Sequence, residues 1–265
     1  MYDGFTAAHR GGSGTPLVLL HGFTDTWRTW DLVLPELERH HDVLAPTFLG
    51  HAGADPISGE LDTGTLADHV ERQMDDAGFE TAHIAGNSLG GYLALQLASR
   101  GRARSVVAFA PAGGWAKGDE SYKVTLGHFT EMKALLQWAA PNAAQIVSTP
   151  EGRSKAAGIY VSNPENIPPE LLAHQIQGAA ECDATEPLIA HARQEGWPLD
   201  ASKVECPVRF VWGTEDQILR WPNTASRFRQ DFPTADWIEL DGVGHCPQLD
   251  VPTEAAQLIA GFARA

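Results

Sequence analysis

The chain has 265 residues, 43% of them hydrophobic and 20% charged, a balance suited to one ordinary globular α/β domain. Its formal net charge of −15 disfavours nucleic acid or an anionic membrane surface as the main partner, since both repel a negative surface. The opening MYDGFTAAHR lacks the apolar core of a signal peptide, and no apolar run of about 18 residues occurs. The three cysteines, Cys182, Cys206 and Cys246, are widely spaced with no CxxC or Cys/His pattern, so neither a disulfide framework nor a zinc site is expected. A soluble cytoplasmic protein with no metal fits these counts.

Short apolar runs at 17–20, 43–45, 82–85, 106–110, 208–212 and 237–240 read as strands buried on both faces. Between them lie helical patterns. Leu66, Val70 and Met74 share one face, Leu93 and Leu97 repeat with Ala94 and Ala98, and Ala255, Leu258, Ile259 and Phe262 close the chain. Alternating strands and helices predict a doubly wound, mainly parallel sheet. Residues 115–200 break the alternation. Residues 126–138 read as a helix there, and Pro168-Pro169 as a helix start. Such an insertion predicts a helical cap at 115–200, over a core of 1–114 and 201–265.

Four segments carry the chemistry. Gly86-Asn-Ser-Leu-Gly90 fits G-x-S-x-G, follows a strand-like run and precedes a helix-like one, the context that this motif needs. The glycines let a sharp turn close, so that Ser88 is presented above the sheet beside the free N–H groups of a helix start. His21-Gly-Phe23 follows the strand at 17–20, which makes the backbone N–H groups of Phe23 and Leu89 candidate donors to a developing oxyanion. His21 itself also fits a buried structural histidine.

Trp212-Gly-Thr-Glu-Asp216 follows the strand at 208–212 and puts a carboxylate on the same rim as Ser88. Asp216 is preferred to its neighbour Glu215, and the end of the preceding strand, Ala110-Pro-Ala-Gly-Gly114, contains no acid. Gly242-Val-Gly-His245 lies late in the chain, in a glycine-rich loop after the last strand. Ser88, His245 and Asp216 thus read as nucleophile, general base and orienting acid.

This order, with an oxyanion loop ahead of the serine, resembles the α/β-hydrolase superfamily over essentially the whole chain. Within it the sequence is similar to the group with small helical caps: esterases, lactonases, cofactor-free haloperoxidases and carbon–carbon bond hydrolases. The resemblance implies cleavage of a carboxylic ester or lactone through an acyl-enzyme, without a cofactor. A carbon–carbon hydrolase, a haloperoxidase-like enzyme and a non-catalytic small-molecule receptor are the alternatives. Dehalogenases and epoxide hydrolases of this fold carry an aspartate nucleophile, where this chain has Ser88. Carbon–carbon hydrolases often carry G-N-S-M-G-G at the elbow, close to Gly86–Gly91 here, but usually a tryptophan after the histidine, where Cys246 stands. Many relatives have D-x-x-G-x-G-x-S after an early strand. The segment from Ala45 to Gly53 departs from it, which implies an unusual loop near the active site. Trp115, Phe129, Trp138 and Trp197 in the insertion are candidates to line an apolar pocket or to form the cap's own small core.

Overall fold

A computed structural model describes residues 4–263. Seven strands form one sheet: β1 (Ala8–Gly12), β2 (Thr15–Leu20), β3 (His41–Pro46), β4 (Ala82–Asn87), β5 (Ala103–Phe109), β6 (Val208–Gly213) and β7 (Asp236–Leu240). Their order across the sheet is β1-β3-β2-β4-β5-β6-β7. All neighbours are parallel except β1, which pairs antiparallel with β3.

The six apolar runs read from the sequence all fall on strands, and the pleat sorts their residues to two faces. Val18, Leu20, Leu44, Val106, Ala108, Phe210 and Trp212 belong to one core cluster. Leu17, Leu19, Val43, Ala45, Val107, Phe109 and Val211 belong to another on the opposite face. Helices cover both faces, so neither can be polar.

On the first face lie α1 (Thr63–Asp76) and α2 (Leu89–Ser99). Helix α1 starts on a reciprocal cap: the Thr65 N–H donates to Asp62 Oδ1 at 2.6 Å, and the Asp62 N–H donates to Thr65 Oγ1 at 2.8 Å. Leu66, Val70 and Met74 are fully buried, as their spacing predicts. The second face is closed by Trp27, Trp30, Leu34 and Leu37 together with the C-terminal helix.

Strand β1 has no counterpart in the apolar pattern. Its residues alternate between exposed and half-buried, so it is held by its ladder to β3 and by the Arg10–Asp42 pair at 2.8 Å, not by side-chain burial. An edge strand of this kind leaves little hydrophobic signal.

Between β5 and β6 the main helices are α3 (Tyr122–Ala139), α4 (Pro150–Ala157), α5 (Pro169–Ala180) and α6 (Thr185–Glu195), and no strand occurs there among the described residues. Helix α5 buries Leu171, Leu172 and Ile176 against Val147, Ala157 and Val161. The same cluster includes Cys246 and Leu249, which ties the inserted helices to the loop bearing His245. The chain closes with α7 (Pro252–Phe262), packed on the second face. No helix of the described residues is long and apolar enough to cross a membrane.

Candidate active site

The turn from β4 into α2 places Ser88 at φ +55°, a conformation that side-chain-bearing residues rarely adopt. Surrounding bonds hold it there. The Ser88 N–H donates to the Phe109 carbonyl at 2.9 Å, and the Ser88 carbonyl accepts from Tyr92 at 3.1 Å and Ala112 at 3.0 Å. Two glycines make the turn possible. A Cβ on Gly86 would sit 2.2 Å from the Gly90 carbonyl oxygen, and one on Gly90 would sit 2.2 Å from that of Leu20.

On the same rim, His245 Nδ1 lies 2.7 Å from Asp216 Oδ2, with both side chains buried. The other carboxylate oxygen, Asp216 Oδ1, accepts from the Ile218 N–H at 2.8 Å and the Leu219 N–H at 2.7 Å. Glu215 is exposed, and its own N–H is bonded to the Val243 carbonyl. The structure therefore brings Asp216, and not its neighbour, to His245. Ser88 and His245 line one cavity. Among the described residues no hydrogen bond joins their side chains, a contact that in hydrolytic sites often tightens only around substrate.

Three polar residues that sequence reasoning passed over fix the histidine loop. Asn87 Nδ2 donates to the His245 carbonyl at 2.9 Å and to the Phe109 carbonyl at 3.2 Å. Asn87 Oδ1 accepts from Gln248 Nε2 at 3.2 Å, and Gln248 also reaches Thr29 Oγ1 at 3.1 Å. Asp250 is buried, and its carboxylate accepts from the N–H groups of Gly244 (2.7 Å), Ser162 (2.8 Å) and Asn163 (2.8 Å). It thereby ties the histidine loop to the inserted segment. The available signal was a polar residue inside an apolar stretch, Pro247-Gln-Leu-Asp-Val251.

The loop after β2 supplies the second part of the site. The N–H groups of Phe23 and Leu89 donate to no other group among the described residues, which leaves both available to an incoming oxygen. His21 is a brace. Its Nε2 accepts from the Phe48 N–H at 2.9 Å, so the proton sits on Nδ1, which donates to the Gly22 carbonyl at 2.7 Å. Burial, and then the neighbouring His51, hold His21 well below its ordinary value, so it remains neutral. His51, from the segment that departs from the usual pattern, accepts from the Thr24 N–H at 3.3 Å and packs its ring edge-on to His21 and Phe23.

Two cavities meet at Ser88. The first is walled by Phe23, Tyr160, Ile176 and Leu249 and also contains Asp25 and Gln175. The second is almost wholly apolar and is walled by Trp115, Leu126, Ile189, Trp197 and Ile218. Phe23 and Phe129 line both. Trp115 and Trp197 stack at 6.2 Å and form wall and core at once. The expectation for Trp138 is corrected: it is 73% exposed and lines neither cavity. It lies twelve residues beyond the inward-facing Leu126, a rotation of about 120° around the helix.

Asp25 is half-buried in the first cavity, where its Oδ1 accepts from the Thr26 N–H at 2.8 Å and its Oδ2 from Gln175 Nε2 at 2.9 Å. Burial nevertheless pushes its carboxyl up to about 6. The folded protein thus holds this proton more tightly than the unfolded chain, whose carboxyl titrates near 3.8. The resulting contribution to stability is complete below about pH 4 and is lost as pH rises through 6. Asp25→Asn should therefore raise Tm at pH 7.5, by the equivalent of at most about 2–3 kcal/mol, and leave it unchanged at pH 4. Thermal melts at both pH values check this, and an equal shift at both would refute it.

A family model described as the alpha/beta hydrolase family matches residues 17–258. An epoxide hydrolase of Mycobacterium tuberculosis is 32% identical over 203 residues, which span 76% of this chain and 95% of the relative. Lipase 3 of Moraxella sp. is 24% identical over 259 residues, 94% of this chain and 78% of the relative. The solved structure of a 2-hydroxy-6-oxo-6-phenylhexa-2,4-dienoate hydrolase from Rhodococcus sp. superposes with a TM-score of 0.77 at 21% identity, covering 97% of this chain and 94% of that one.

Proposed function

Since the chain belongs to the alpha/beta hydrolase family, we propose that it is a serine hydrolase cleaving a carboxylic ester or lactone of small to medium apolar size. The observation that carries this reading is the strained Ser88, which opens on the same cavity as a histidine held 2.7 Å from a buried carboxylate.

In the proposed cycle Ser88 Oγ attacks the carbonyl carbon while His245 takes its proton. Phe23 and Leu89 donate their N–H groups to the oxyanion. His245 then returns the proton to the leaving alcohol, and an acyl-Ser88 ester remains. Water activated by His245 attacks that ester and regenerates the serine. Asp216 keeps the imidazole proton on Nδ1 throughout. Residues 115–200 act as the cap that walls the cavities, over a core of 1–114 and 201–265. The apolar walls of the two cavities suit hydrocarbon portions on either side of the ester.

Two observations weigh against other chemistries. A dienoate, named as substrate of the Rhodococcus enzyme, is an anion, yet among the described residues no lysine or arginine lines either cavity and Asp25 lines one. An epoxide opened by Ser88 would leave an ether, which water does not cleave under mild conditions, so turnover would stop. The three free cysteines support the reducing, cytoplasmic setting expected from composition.

A panel of 4-nitrophenyl esters from acetyl to long-chain, run beside several lactones, tests the reading. Sustained turnover, with an acyl adduct on the Ser88 peptide in quenched samples, is expected. Ligand binding without turnover of any ester or lactone would point instead to a receptor.

A further inference from the structure

Asp25 has no part in the cycle above, although it shares the first cavity with Ser88 and His245. No lysine or arginine among the described residues lines that cavity, and the charge that favours the ionised form of Asp25 is that of the titratable His51. Two hydrogen bonds hold the carboxylate in place, one from the Thr26 N–H and one from Gln175 Nε2. The Thr29 hydroxyl also favours its ionised form. An ionised carboxylate offers about four acceptor positions, so at least one is left toward the cavity.

The influence of Asp25 on its neighbours points the same way. Tyr160 and Cys246 line the same cavity, and both are pushed up: Cys246 first by burial and then by the negative charge of Asp25, Tyr160 first by burial, then by Cys246 and then by Asp25. Much of the remaining wall is apolar, with Phe129, Leu136, Val161, Leu172, Ile176 and Leu249, and Thr24 and Asn87 add polar groups. A charged, oriented acceptor in a mostly apolar chamber discriminates strongly. A ligand without a donor leaves it desolvated and unmatched, whereas a ligand with one satisfies it.

From this geometry we infer that Asp25, positioned by Gln175, is a specificity residue, and that the substrate portion entering the first cavity carries a hydrogen-bond donor, a hydroxyl or an ammonium group. This rests on the reading of Ser88 as the nucleophile of ester cleavage. The donor is bound at Asp25 while the ester carbonyl lies at Ser88. A hydrocarbon portion of the substrate occupies the second, apolar cavity. A carboxylate in place of the donor is repelled. Gln175 orients the acceptor and touches no substrate in this scheme.

The test uses two series of esters of equal length, ending in methyl, hydroxyl, ammonium or carboxylate, on the acyl side in one series and on the alcohol side in the other. Turnover is measured with the wild-type chain and with Asp25→Asn, in which Gln175 can rotate its amide to accept. In one of the two series, kcat/KM for the hydroxyl or the ammonium ester should exceed that of the methyl ester by about ten-fold or more. The carboxylate ester should be the poorest. Asp25→Asn should abolish the ammonium preference and reduce the hydroxyl preference to about two-fold, read as the ratio of each donor ester to the methyl ester within the same variant. The ratio of hydroxyl to ammonium esters identifies which donor is favoured. A wild-type chain indifferent to the terminus in both series, or a variant that keeps the full preference, would overturn the inference.

Calorimetric binding of the same compounds to Ser88→Ala, with and without Asp25→Asn, gives a readout that needs no turnover. If no ester is hydrolysed but donor-terminated compounds bind Ser88→Ala at least about ten-fold more tightly through Asp25, the ester reading fails and the assignment of Asp25 as a donor site stands. Equal binding of all termini would sink the assignment whatever the activity.

Discussion

Replacement of Ser88 by alanine should lower kcat on any ester that the chain turns over by roughly 10⁴- to 10⁶-fold, as loss of the nucleophile does in comparable serine triads. The same variant should no longer take up a fluorophosphonate, whereas the wild-type chain gains the mass of one adduct. Alanine is no more strained than serine at φ +55°, and the backbone bonds to Phe109, Tyr92 and Ala112 do not involve the hydroxyl. The variant should therefore melt close to the wild-type temperature, so lost activity reports chemistry and not unfolding. An adduct that persists in Ser88→Ala would place the reactive nucleophile elsewhere.

The parts of this molecule that were legible in its sequence share a physical cause. Strands β2 to β6 carry apolar runs because helices cover both faces of the sheet, and burial on both faces leaves little room for polar residues; the edge strand β7 is only half-buried and its run is interrupted by Glu239. Ser88, Asp216 and His245 each stand at or just beyond the end of a strand-like run, with glycines close by, because the backbone must turn sharply there. Position in the chain is enough to suggest such a site.

What stayed hidden depends on contacts between segments far apart in sequence. Asn87 occupies a variable position of its motif, and only the fold brings it to the His245 carbonyl, 158 residues away. Asp250 reads as a surface acid until the N–H groups of Ser162 and Asn163 arrive from the insertion. Strand β1 escaped notice because its stability comes from backbone pairing, which carries little side-chain signature. Trp138 was misplaced for a related reason: aromatic identity says nothing about which face of α3 a residue occupies, and here that face is exposed. Asp25, two residues beyond the oxyanion loop's Phe23, gives no sign in sequence that Gln175 will meet it from 150 residues away.

The second large effect is expected at Asp216, and the local bonds determine its direction. Asp216 Oδ1 accepts from two backbone N–H groups, Ile218 at 2.8 Å and Leu219 at 2.7 Å. In Asp216→Asn those donors must still be met by an oxygen, which fixes the orientation of the new side chain. Its amide nitrogen is then turned toward His245 Nδ1, at the position where Oδ2 now stands at 2.7 Å. An NH₂ group there donates, so Nδ1 has to accept and the imidazole proton moves to Nε2. A protonated Nε2 cannot take the proton from Ser88. The wrong tautomer should lower kcat by about 10⁴-fold with little change in fold, and KM for a given ester should move far less than kcat. Glu215→Gln serves as the control, because Glu215 is exposed and its backbone bond to Val243 survives the change. Steady-state kinetics of the two variants on one ester decide the matter. If Glu215→Gln proved the more damaging, or Asp216→Asn kept most of its activity, Asp216 would not be the residue that orients His245.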